Sequence, residues 1–278
     1  MTPWFRNRAD VPAVLTVLVV FALQLWAFFS IHNPWYLLGA EFLLMFAQVS
    51  SGAVCHNHHH VNIFTRAAPN RLLEVIMYLQ TGTSPYSWTI HHNIGHHGEY
   101  LDQSRDPSRW QEPDGRTMNR LKYDFYNSFM IYPEIWKLGR RFPVLFGRFK
   151  RWLLIGNLVL LAFFLYNPLN TLIIFIIPMV AMLVILLDNT YQQHSGLNTG
   201  SHFLASRNVE HPIYNLTSWN LGYHTAHHML PGAHWTELPA LHAKIRHRIP
   251  DVLVSKNIIP DLNHEIPEAE VTATANAV

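Results

Sequence analysis

Charged side chains are scarce in this 278-residue chain: Asp, Glu, Lys and Arg make up 14% of it, against roughly a quarter in a soluble domain. So little polar surface beside 49% hydrophobic residues argues against an ordinary water-soluble fold and points to lipid. A formal net charge of +2 gives no basis for a nucleic-acid partner. The single cysteine, Cys55, rules out an intramolecular disulfide framework. Also missing are a repeat at solenoid periods, a coiled-coil heptad and any fused cytochrome, rubredoxin or flavin motif. The first apolar run lacks a small-residue cleavage site and leads almost directly into the second, so a cleaved signal peptide is not expected.

What the chain has instead is four long apolar runs: Val11 to Phe29, Trp35 to about Val54, Trp152 to Leu165, and Thr171 to Leu187. Each is near the roughly 20 residues that cross a bilayer. Short breaks at Ile31 to Pro34 and Tyr166 to Asn170 fold them into two helical hairpins. Twelve Arg or Lys residues lie between Val61 and Lys150 and none at either hairpin tip, which places the long middle region, the N-terminus and the C-terminal segment on the cytoplasmic side. The expected class is therefore an all-α integral membrane protein: four transmembrane helices in two hairpins and a cytoplasmic helical cap. Residues 1–262 read as one domain and 263–278 as a flexible tail.

Nineteen residues are histidine, and they crowd together. Neutral imidazole binds metals near pH 7, and spacings of three and four bring side chains to one helical surface. His56 and His60 are four apart; His92, His96 and His97 form HxxxHH; His224, His227 and His228 form HxxHH; His194 stands near the end of the fourth apolar run. These nine nitrogen ligands exceed the needs of one zinc and suit two metals of higher coordination number. Iron is the strongest choice because imidazole-rich sites with open positions activate O2, although copper and zinc are chemically allowed. Glu99, Asp106, Asp188 and Asn189 are placed to orient ligand rings or waters. His58, His59 and His91 adjoin better-spaced ligands and suit a supporting or capping role as well as ligation. His234 and His242 read as surface or supporting residues.

The three groups, HNHHH from His56 to His60, HNIGHH from His92 to His97 and HTAHH from His224 to His228, resemble the histidine boxes of the integral-membrane fatty acid desaturase and hydroxylase superfamily. The likeness runs from about the first apolar segment to Arg246. It implies a mushroom-like fold, a non-haem di-iron centre, O2 as co-substrate and attack on a long aliphatic chain, with His194 as the additional ligand between the last membrane helix and the third box. The usual Asn four residues before that histidine is replaced by Thr190, with Asn189 one place earlier.

Within the superfamily the motifs diverge. The second box, followed by Glu99 and Asp106 to Arg109, looks like that of membrane alkane hydroxylases; the third, from Asn220 to Pro239, is similar to that of acyl desaturases. Desaturation of a fatty-acyl or similar long alkyl chain is placed first. Hydroxylation follows, then oxidative decarboxylation of a fatty acid to a terminal alkene. Electrons are expected from a separate donor of ferredoxin, rubredoxin or cytochrome b5 type. A histidine-rich membrane metal transporter is the contrasting class, but it predicts ionisable positions along the spans, which hold few.

Other residues carry two readings. Trp26, Phe28, Phe29, Trp35 and Tyr36 fit interfacial anchors better than a substrate tunnel. Glu41, inside a membrane run, is a polar position facing substrate or a protonated structural group. Arg140, Arg141, Arg148, Lys150 and Arg151 fit lipid-headgroup anchoring better than donor docking.

Overall fold

The computed structural model describes residues 4–259; the tail expected at 263–278 lies outside them. The long helices are α1 (Val11–Ser30), α2 (Pro34–His60), α3 (Ala67–Thr81), α5 (Arg120–Gly139), α6 (Pro143–Tyr166) and α8 (Ile177–His194). Shorter ones are α4 (His97–Glu99), α7 (Pro168–Thr171), α9 (Pro212–Thr217), α10 (His224–Met229) and α11 (Leu238–Ile245). The only ladder among the described residues is a parallel pair, β1 (Asn208–Val209) with β2 (Val254–Ser255). Four helical stretches are long and apolar enough to cross a membrane: Arg8–Ser30, Pro34–His60, Pro143–Tyr166 and Pro168–His194. The expected class, helical with four spans and histidine clusters, is the one observed.

Each span opens on a proline in its first turn, where a missing N–H forfeits no intrahelical bond. Before α2, the Asn33 side chain accepts from the backbone of Trp35 and Tyr36 at 2.9 and 3.4 Å, capping two otherwise orphaned donors. Three helices run further than their apolar runs. α2 continues through the first histidine group to His60. α6 starts at Pro143, nine residues before Trp152, because Arg148, Lys150 and Arg151 sit on its opening turns instead of in a loop. The last span begins at Pro168 and passes through a π-helical stretch, Leu172–Ile176, before α8. Pro69 is the third residue of α3, still within the turn that tolerates proline.

The described chain forms two compact units. The first takes the residues through His91 together with Tyr132–Leu186; the second takes His92–Ile131 and the residues from Leu187 onward. The first unit's core joins Ala27, Phe28, Leu37, Tyr78, Ile174 and Phe175. Phe28 is thus no interfacial anchor: it is 1% exposed and packs against Phe163 and Phe175, while Trp26, Trp35 and Tyr36 stay exposed as anchors should. α6 approaches α3 closely because residue 156 is glycine, where a Cβ would meet the Tyr78 ring at 2.7 Å. The Tyr78 hydroxyl donates to Asn157 beside it.

Candidate metal centre

In the second unit the chain arrives at the second box through a π-helical turn, Thr89–His96. A π-turn aligns residues five apart, and here it brings the Nε2 atoms of His92 and His97 to 3.1 Å. The α-helical template applied to the sequence grouped His92 with His96. The wider turn reassigns His97 to His92 and leaves His96 to another partner set.

The third box lies on α10, held by polar groups from the β1 region. The Asn208 side chain accepts from the Thr225 backbone at 3.0 Å and donates to its hydroxyl at 2.8 Å; Ser206 pairs with the same hydroxyl. Ahead of it the chain turns through left-handed Trp219 and Asn220, at φ 52° and 65°. Such a conformation costs roughly 1–2 kcal/mol for a non-glycine residue. The bond from the Asn220 side-chain amide to the Trp235 carbonyl helps hold it there. Gly222 follows because a Cβ there would collide with the Asn215 side chain.

Seven imidazoles of the second unit then meet in two sets. His97 Nε2 lies 3.1 Å from His92 and 3.1 Å from His227. His194 Nε2, at the end of α8, lies 3.3 Å from His96, 2.9 Å from His224 and 3.1 Å from His228, and the last two are 3.1 Å apart. Both boxes are split between the sets. In each His-His pair one imidazole goes to each set: His97 and His227 to the first, His96 and His228 to the second. The rings of His97 and His228 stack at 4.1 Å where the sets adjoin.

These contacts are not ordinary hydrogen bonds. The Asp106 carboxylate lies 2.9 and 3.2 Å from His96 Nδ1, and the Ala205 carbonyl accepts from His194 Nδ1 at 2.8 Å. Both acceptors take the proton on Nδ1, so in the neutral form each ring turns an Nε2 lone pair toward the other. Burial pushes His227 down to about 3, with His96 adding repulsion, and pushes His228 well below its usual range, with His97, His224, His194 and His96 as further causes. Neutral, converging lone pairs are what a cation requires. Nitrogens bound to one metal at about 2.1 Å and at right angles would stand roughly 3 Å apart, the separation found here. The residues fit a metal.

The remaining expected residues are placed as follows. His56 and His60 belong to the first unit, on the last turn of α2, with ring centroids 5.2 Å apart and His56 beside Trp88. His58 contacts Glu74 at 3.0 Å through Nε2, and Arg71 holds the same carboxylate at 2.5 Å. His59 turns back to the Cys55 carbonyl at 2.8 Å, and His91 is buried near Trp88. Of the four polar groups expected to orient ligands, Asp106 touches one. Glu99 is paired with Arg105, Asp188 is gripped by Arg120 and Gln192, and Asn189 accepts from Tyr214 at 3.4 Å. His242 and His234 are buried supports, the first bonded to Glu210 and the second capping the turn at Trp235. Sequence reasoning missed Tyr100, whose ring lies 4.2 Å from that of His228 and whose hydroxyl sits 2.6 Å from His202. Its position, four residues after His96, was the available signal.

Two imidazole sets built from split His-His pairs make the histidine boxes a structural fact as well as a spelling. The pattern described as fatty acid desaturase matches residues 32–258. The chain belongs to the fatty acid desaturase family. That family is one of oxidoreductases acting on fatty-acid chains by metal-dependent catalysis, and its membership agrees with the four apolar helices in marking a membrane protein. A search of curated proteins gives no match.

Proposed function

We propose that this family member desaturates an unactivated C–H pair in a fatty-acyl or similar long alkyl chain, using O2 and a non-haem di-iron centre. The observation that carries the reading is the division of two His-His pairs between two sets of converging imidazoles. His92, His97 and His227 would hold one iron, and His96, His194, His224 and His228 the other. The box spacing adds His56 and His60 as ligands. When bound, the irons would supply O2 activation and hydrogen removal from an aliphatic carbon. The protein's own part is to keep His194, His227 and His228 unprotonated by burial, to fix the His96 and His194 tautomers through Asp106 and Ala205, and to keep the surroundings dry.

The hydroxylase-like second box supports a second outcome of the same act, an alcohol, and decarboxylation of a fatty acid to a terminal alkene is a third. Position of the second C–H bond decides among them. Electrons would come from a separate ferredoxin, rubredoxin or cytochrome b5 type donor. The basic middle region favours a cytoplasmic placement of the boxes and both termini. Metal content of the detergent-purified chain, measured with product mass under O2 and a supplied reductant, tests the proposal. About two irons per chain and a product lighter by two hydrogens uphold it. A product heavier by one oxygen selects hydroxylation, and a zinc-bound or metal-free chain that never oxidises lipid overturns the di-iron reading.

A further inference from the structure

Deep in the first unit, four amide or carboxyl side chains are fully buried: Gln24 on α1, Glu41 and Gln48 on α2, and Gln80 on α3, none more than 2% exposed. Their bonding is one-sided. The Gln24 amide donates to the Ile174 carbonyl at 2.9 Å, the Gln80 amide to the Val17 carbonyl at 3.0 Å, and the Gln48 amide to Glu41 Oε1 at 2.6 Å. Ile174 and Val17 offer only an acceptor, so the NH2 ends of Gln24 and Gln80 are fixed and their oxygens must point elsewhere. The Oε1 atoms of Gln24, Gln48 and Gln80, and Oε2 of Glu41, accept nothing from any described residue.

These groups fall at two depths. α1 and α2 pack together as a hairpin. Gln24 stands seven residues before Ile31, and Glu41 seven after Pro34. Val17, which receives Gln80, stands fourteen before Ile31, and Gln48 fourteen after Pro34. Gln24 and Glu41 therefore share one level, and Gln48 and Gln80 another. A buried carbonyl oxygen left without a donor costs on the order of 1–3 kcal/mol, and lipid offers none to compensate. Repetition of the same deficit, acceptors without donors, is the pattern of a binding site for a donor.

We infer that the Gln48–Gln80 level of this polar column binds the hydroxyl of a long-chain alcohol, which donates its one hydrogen to an amide oxygen there. An ester, ether or ketone oxygen only accepts and cannot serve an amide carbonyl, whereas a hydroxyl has one hydrogen to donate.

The test is binding of 1-hexadecanol, hexadecyl methyl ether and hexadecane to the full chain in detergent, followed by tryptophan fluorescence, with iron content read separately. The expected result is an alcohol bound at least tenfold tighter than the ether or the alkane. In a Gln48→Leu/Gln80→Leu variant that preference should shrink below threefold while alkane binding persists. Equal binding of alcohol and ether by the unaltered chain, as ordered water on the acceptors would produce, overturns the inference without recourse to any variant. Undiminished preference in the variant overturns it as well. Neither readout requires turnover, so loss of the di-iron reading would register as absent iron or product and leave the binding comparison standing.

Discussion

Buried histidines occur in both units, and they keep different company. In the first unit His58 is joined to Glu74, which is joined to Arg71, and His59 is tied to its own helix backbone. In the second unit the Nε2 atoms of seven histidines meet each other, and their outer nitrogens find Asp106 or a backbone carbonyl where a partner is seen. A histidine whose ring is consumed by a carboxylate is part of a buried ionic network. One whose ring faces another lone pair is waiting for a cation. The count of histidines in a segment therefore says less than the partner of each Nε2: the HNHHH group is the densest in the chain, yet His58 and His59 are occupied.

The comparison breaks most sharply at His194, which reaches three other imidazoles within 3.3 Å. His194→Ala is expected to abolish oxidation and to bring iron per chain below half the wild-type value, with membrane insertion unchanged. Elemental analysis beside membrane fractionation reads both. Full iron and full activity would remove His194 from the centre.

Glu74→Leu is the matching change in the first unit. It strips the carboxylate from a buried Arg71 and His58, and removing one partner from such a pair costs about 3–5 kcal/mol. The expected result is a large fall in Tm with the iron content of the surviving folded fraction intact. Iron loss equal to that of the His194 variant would erase the distinction between the two kinds of histidine.

Asp106→Asn probes the same distinction from the outside of a ligand. The amide can still accept from His96 Nδ1 but no longer places a negative charge behind the ring. Losing such a partner typically costs 10- to 100-fold in metal affinity. Competition with a graded chelator should show that shift, whereas Glu99→Gln, which alters only the pair with Arg105, should leave affinity unchanged.

Much of this was legible in the sequence. The four spans follow from apolar length, and the box residues from spacing. The partition of the boxes was not, because the reading assumed α-helical neighbours at three and four. The π-turn at Thr89–His96 adds five, and adjacent histidines straddle two sets. Glu99, Asp188 and Asn189 looked equivalent to Asp106 along the chain, and only long-range pairing with Arg105, Arg120 and Tyr214 separates them. The opening turns of α6 were hidden by their basic residues, since composition cannot tell a helix leaving the interface from a loop.

Acid offers a gentler separation. Folded His227 is held down to about 3, and His228 well below its usual range, by burial, while an unfolded imidazole titrates near 6.5. A depressed folded value means the stabilising contribution is whole above about pH 6.5 and is lost as pH falls toward the folded value. Each such group removes at most about 1.4 kcal/mol per pH unit in that window. The metal-depleted chain should lose Tm steadily from pH 7 to 5, and the iron-loaded chain should lose less, since bound metal occupies the nitrogens that protons would take. Parallel Tm curves for the two forms would show that the imidazoles are not shared with a metal.

The smallest expected effect distinguishes a ring from its hydroxyl. The Tyr100 ring lies 4.2 Å from that of His228 and its hydroxyl 2.6 Å from Nδ1 of exposed His202, and burial pushes its phenol above the usual range, so the hydroxyl keeps its proton. Tyr100→Phe deletes that bond and nothing else, a loss of about 1 kcal/mol, and leaves the aromatic wall in place. Tyr100→Ala removes the wall too, opening space beside a ring that must hold its angle. Iron affinity should therefore be indifferent to phenylalanine and several-fold weaker with alanine, by chelator competition. Equal weakening in both would transfer the role from packing to the hydroxyl and make His202, outside the imidazole sets, part of what sets the centre's affinity.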